Sequence, residues 1–168
     1  MHTVTVEALN LETFASFGTF SSMLQPNTPH IGAAPISFYR DAVPLELGGK
    51  TPSFSSCRVE ARAFVIDVME YHSSTGEGIL ALDGDVLVQL APATPPGDPF
   101  PFEHVRVFRV PQGTLLAIRP GVWHHAPFAI GNRAVNVLIV LPERTYANDC
   151  VVLQFQEAER IRIAADHQ

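Results

Sequence analysis

The chain has 168 residues, the length of one domain with a sizeable core, and it is expected to fold as a single domain over 1–168. Its 46% hydrophobic and 17% charged content is globular and excludes disorder. A net charge of −6 with Lys50 as the only lysine excludes a phosphate-binding basic stripe, so no nucleic-acid partner is expected. No membrane partner is expected either, because no window reaches the roughly 18–20 apolar residues of a membrane span.

The chain opens with a strand-like Thr3–Glu7 run. LNLETFASFG then has a polar cap in Asn10, apolar residues at Leu11, Phe14 and Phe17, and a closing Gly18, which predicts one short amphipathic helix. The Met1-His2-Thr3-Val4 start lacks a basic, then apolar leader, so Cys57 and Cys150 are expected as free thiols in the cytoplasm. Residues 25–35 (QPNTPHIGAAP) and LELGGKTP read as irregular connections. From Cys57 onward the pattern is of strands: CRVEARAFVIDVMEYH, GILALDGDVLVQLAP, HVRVFRVP, GTLLAIRP, RAVNVLIVLP and CVVLQFQ. Segment 93–102 (ATPPGDPFPF) reads as a long hairpin loop near a barrel mouth, and EAERIRI as a helical turn. With no long helix between the strands, the fold class is all-β, an antiparallel barrel or sandwich with a short N-terminal helix.

Alternation along FVIDVMEYH puts Phe64, Ile66, Val68, Glu70 and His72 on one face of a strand. Two ionisable groups ending an apolar inward row are the sequence signature of a barrel pocket. Glu77 and Gly84 follow, with Gly84 in the turn of a LALDGDVLV hairpin, so that the run reads E-x-H-x4-E-x6-G. It resembles the first motif of the cupins, with Glu70 in place of a histidine. Residues 113–124, with Gly113, Pro120, Gly121 and His124, resemble the second cupin motif, although Phe128 stands in place of its asparagine. His124 and His125 are adjacent and must face opposite ways on a strand. The cupin resemblance makes His124 the inward one.

Imidazole and carboxylate ligands suit a divalent transition ion, and Glu70, His72, Glu77 and His124 supply such a set, with two carboxylates to balance its charge. Mixed ligands of this kind fit manganese, nickel, iron or zinc alike. The same residues also fit a metal-free pocket joined by hydrogen bonds.

The V-W-H-H-x-P run of PGVWHHAPF, residues 120–128, narrows the likeness to the ureidoglycolate lyase family, whose fold is the cupin jelly roll. LNLETFASFGTF, VMEYHSSTGEGILALDGDVLVQLAP and the Asp149-Cys150 pair resemble other parts of that family, so the likeness touches nearly the whole chain. This sequence departs from it at Tyr71 and Ser73, which flank His72, at Ile79, and at Glu77, where the family has glutamine. The resemblance implies a carbon–nitrogen lyase that releases urea and glyoxylate from ureidoglycolate in purine and allantoin breakdown, acting as a homodimer on a small hydroxy acid. It implies His124, His72 and Glu77 as catalytic residues. An arginine fork matches a substrate carboxylate; Arg58 and Arg62 share the parity of Glu70 if no bulge intervenes, and the resemblance also places an arginine at Arg58. His30 as a lid residue and Trp123 as pocket wall complete the substrate-contacting set. Alternatives are a metal-dependent cupin isomerase or dioxygenase, and a cupin that only binds a small carboxylate. Cys150 has no neighbouring base in sequence and is not read as a nucleophile.

Overall fold

The computed structural model describes residues 2–164. The first half of the chain forms β1 (His2–Ala8), α1 (Leu11–Phe14), β2 (Gly18–Ser22), β3 (His30–Ala33), β4 (Ile36–Tyr39), β5 (Pro52–Val59), β6 (Val65–Ile66), β7 (Val68–Tyr71) and β8 (Glu77–Ala81). It continues through β9 (Val86–Leu90), β10 (Arg106–Val110), β11 (Thr114–Ile118), β12 (Phe128–Ala129), β13 (Val135–Pro142), α2 (Thr145–Asn148), β14 (Val151–Gln154) and β15 (Ile161–Ala164). One sheet has the order β12-β9-β10-β1-β15-β6 and a second the order β2-β11-β8-β13-β5, with the pairs β14-β7 and β3-β4 beside them. This is the all-β, double-sheet jelly roll expected from the short, evenly spaced apolar runs.

Strand parity explains how the sheets stack. On β9, Val86, Val88 and Leu90 pack with Leu116 and Ile118 of β11 and Ile79 of β8 between the two sheets. The intervening Leu87 joins Trp123, Phe100, Ile161 and Ile163 on the outer side. Because both faces of the six-stranded sheet are covered, β9 is buried throughout and apolar except at Gln89, which donates to the Ala126 carbonyl at 3.2 Å. Asn10 caps α1 by accepting from the amides of Glu12 and Thr13 at 2.8 and 3.4 Å. The helix delivers Phe14 onto Phe108, with ring centres 5.3 Å apart and edge to face. Truncating either fully buried ring to alanine would cost about 3–5 kcal/mol.

Several expectations change. α1 is only four residues long, and Gly18 opens β2. Backbone pairing makes part of the proline-rich 25–35 run a hairpin strand, β3 against β4. β8 and β9 do not pair: the Asp83-Gly84 turn carries the chain from one sheet to the other, because each strand finds its partners in a different layer. β1 runs parallel to both β10 and β15, so the sheet is mixed. EAERIRI gives a short 3-10 turn at Glu157–Glu159 and then strand β15. Most consequential for the site, the run from Cys57 to His72 is not one strand. It breaks after Val59 and again at Asp67, whose carbonyl accepts from the amide of Phe155. The second break reverses the parity. Phe64 and Ile66 therefore pack with Met69 and Tyr71, on the side of β7 opposite Glu70 and His72.

Candidate functional site

The site is assembled by backbone register. Gly121, at φ +79°, makes the turn after Pro120 and donates its amide to the His72 carbonyl at 2.7 Å. Trp123 then pairs with Ala91, and His124 with Glu70, each through two backbone hydrogen bonds. Residues directly opposite on an antiparallel ladder share a face, so Glu70 and His124 project together, and His72 joins them two residues on. Trp123 projects the other way. Glu77 enters from β8, where Gly76 is required: a Cβ there would lie 2.4 Å from the Ile118 carbonyl oxygen.

The result is a convergence on one carboxylate oxygen. Nε2 of His72 and Nε2 of His124 lie 3.1 and 3.0 Å from Oε2 of Glu77. His72 and His124 are 3% and 2% exposed and Glu77 6%, so none of the three is bathed by solvent. Each imidazole is held from behind by a main-chain carbonyl: Nδ1 of His72 donates to Asp149 at 2.6 Å, and Nδ1 of His124 to Val122 at 2.8 Å. A carbonyl only accepts, so both Nδ1 atoms carry hydrogen; each Nε2 then either carries a second proton and donates to Oε2 of Glu77 or, without it, offers a lone pair to a metal ion at the centre. This is the outer arrangement that metal-bound histidines show. Glu70, His72 and His124 bring ligand atoms within 4.8 Å of one another and could hold a metal ion, and with Glu77 their two carboxylates balance a dication.

The electrostatics are those of a closed acid–base cluster. Burial by itself would raise the Glu77 carboxyl, but the charges and hydrogen bonds of His124 and His72 outweigh it and hold the group down at about 2. Burial likewise acts to lower His124, yet Glu77 and the Val122 carbonyl hold it above the ordinary histidine range. His125 is lowered by burial and stays outside this convergence. The Cys150 thiol is pushed up to about 12, first by burial and then by Glu70, to which its Sγ donates at 3.3 Å. It remains a thiol and not a thiolate nucleophile.

Glu70, His72 and Glu77 line a cavity of about 230 Å³; His124 is not in its lining and is joined to it through Oε2 of Glu77. Its opposite wall is β5 and β13, whose register sets Ser53 against Leu141 and Ser55 against Ile139. Cys57, Cys150 and Tyr146 complete the rim. The four residues expected to contact substrate are not among those lining it. Arg58 is 62% exposed and 3.8 Å from Glu60, a solvated pair on a strand that ends before Glu70. Arg62 lies in the 60–64 link, where it donates to the Ala126 carbonyl at 2.9 Å and sits 4.0 Å over the Phe128 ring, behind the rim. His30 is exposed in the β3-β4 hairpin against Tyr39. Trp123 is buried between Tyr71 and Phe100 and donates to Thr94 at 3.2 Å. Among the described residues, no lysine or arginine lines the cavity. The serines of PSFSSC carried a legible signal, small hydroxyls at every second position, that sequence reasoning passed over.

The ureidoglycolate lyase family model matches residues 1–162. The chain belongs to the ureidoglycolate lyase family. No curated protein matches it. Among solved structures, a dTDP sugar isomerase from Desulfovibrio desulfuricans G20 is 18% identical over 84% of this chain and 86% of its own, with a TM-score of 0.51. An oxalate decarboxylase of Bacillus subtilis is 17% identical over 62% of this chain with a TM-score of 0.43, and the chain spans 24% of that protein's length. The likeness to the isomerase is one of fold. Among the described residues, no helix is long and apolar enough to cross a membrane.

Proposed function

We propose that this member of the ureidoglycolate lyase family splits ureidoglycolate into glyoxylate and urea at the Glu70, His72, Glu77 and His124 cluster, with a divalent ion bound there. The observation that carries this reading is the meeting of two carbonyl-anchored imidazoles on Glu77 beside a cavity sized for a small hydroxy acid. An ion held by these four residues would supply positive charge for the substrate's carboxylate and would lower the pKa of its hydroxyl. That charge matters because, among the described residues, no arginine or lysine of the cavity wall serves the carboxylate.

The chain's own residues do the rest. Ser53 and Ser55 offer hydroxyls to the carboxylate and ureido groups, while Ile139 and Leu141 beside them on the same wall exclude water. The hydroxyl proton is taken up at the Glu77 carboxylate and delivered to the urea nitrogen as the C–N bond breaks. The electron pair of that bond leaves with nitrogen, the C–O bond becomes the aldehyde of glyoxylate, and one proton has crossed from oxygen to nitrogen. The Glu77, His72 and His124 network also closes on itself by hydrogen bonds, which favours a metal-free form of the same reaction with His72 as base.

The test is release of urea and glyoxylate from ureidoglycolate by purified protein, untreated, stripped with chelator, and resupplied with Mn2+ or Ni2+. Turnover lost on chelation and restored by metal is the expected result. Turnover that survives chelation selects the metal-free form, and no turnover under any condition overturns the lyase reading.

A further inference from the structure

Two consecutive residues outside the cluster hold two of its members. The Asp149 carbonyl accepts from Nδ1 of His72, and the Cys150 thiol donates to Oε2 of Glu70. We infer that the Asp149-Cys150 dipeptide is a positioning unit that sets the tautomer and aim of His72 and fixes the rotamer of Glu70 at the proposed metal centre. The inference rests on the metal-site reading above and deepens it.

The anchoring explains why this dipeptide can do so. Oδ1 of Asp149 accepts from the amide and hydroxyl of Ser73 at 2.8 and 2.7 Å, and Oδ2 from the amide and hydroxyl of Ser74 at 2.8 and 2.6 Å. All four donors come from the two residues that follow His72. The carboxylate therefore ties the Asp149 main chain to the turn that carries the imidazole, and the carbonyl is brought to Nδ1 by a closed ring of hydrogen bonds. On the other side, β14 pairs with β7 as Val151↔Tyr71 and Val152↔Glu70, so Cys150 continues the ladder on the face of Glu70 and His72, and its Sγ reaches Glu70 diagonally. The amide of Asp149 donates to the Thr145 carbonyl at 2.7 Å, so α2 hands the segment over in one register. Neither Asp149 nor Cys150 is a ligand in this scheme. Each acts on a residue that is.

The test uses the full chain without substrate and two readouts. Mn2+ binding is followed by the electron paramagnetic resonance of the free ion, and the histidine ring state by side-chain 15N shifts. Cys150→Ala should weaken Mn2+ binding about 10-fold or more, as removal of a partner behind a metal ligand does. Cys150→Ser, which keeps a donor, should stay within about threefold of the parent. Asp149→Ala should move His72 away from the Nδ1–H form, and Asp149→Asn, with half the acceptors, should move it less. Should Asp149→Ala not fold, Asp149→Asn carries that arm alone. Parental Mn2+ affinity in Cys150→Ala, or equal loss in the Ser and Ala variants, overturns the Cys150 role. Unchanged His72 shifts in the Asp149 variants overturn the Asp149 role. A parent that binds no Mn2+ sinks the metal reading, and the 15N shifts then decide the positioning of His72 by themselves.

Discussion

The ribbon formed by β7 and the 123–124 segment has two faces of opposite material. One carries Glu70, His72 and His124, ionisable groups turned toward Glu77 and the cavity. The other carries Met69, Tyr71 and Trp123, packed with Phe100 and Phe155 in an aromatic cluster. The apolar face contributes stability by burial and edge-to-face contact. The polar face brings desolvated charges close together, which is costly unless each is matched. A backbone locked by the aromatic side is what allows the polar side to keep such an arrangement, because ligand atoms must be held to within about half an ångström.

Substitutions on the two faces should therefore separate chemistry from stability. His124→Ala, on the polar face, is expected to lower kcat/KM for urea release roughly 10²–10⁴-fold. Trp123→Ala, next to it on the apolar face, should cost about 3–5 kcal/mol in urea-induced unfolding while the folded fraction keeps measurable turnover. Equal loss of activity in the two would break the division. Glu77→Gln reads the polar face through pH. The Glu77 carboxyl lies at about 2 in the folded chain against an ordinary 4.5, so its contribution is complete above 4.5 and fades as pH falls toward 2. The parent's stability advantage over Glu77→Gln should accordingly shrink by on the order of 3 kcal/mol between pH 5 and pH 2, measured by denaturant midpoints at each pH. Arg58→Ala lies off both faces, and its exposed pair with Glu60 should be worth less than about 0.5 kcal/mol, with turnover unchanged.

The reading of Glu70 and His72 as one pair, with His124 and His125 facing opposite ways, needed only the period-2 geometry of a strand, which is local; the same geometry turns Trp123, read as pocket wall, away from the cavity. The row thought to precede them did not hold. Phe64 and Ile66 fall on the aromatic side because the chain breaks at Asp67, and the break is made by pairing of β6 with β15 and of β7 with β14, strands far away in sequence. The same break, with the earlier end of β5 at Val59, removed the parity that had carried Arg58 and Arg62 to the pocket.

By itself the sequence determined the all-β class, from short apolar runs and turn punctuation, and the cluster of Glu70, His72, Glu77 and His124, from alternation joined to a family resemblance. Tertiary structure alone decided what surrounds that cluster: serines of β5 as the facing wall, arginines outside it, and the Asp149 carbonyl and Cys150 thiol behind two of its members. Alternation along a strand is set by bonds between neighbours. Which strand lies opposite, and which carbonyl meets a buried imidazole, is set by pairing between segments that the chain order leaves up to about eighty residues apart.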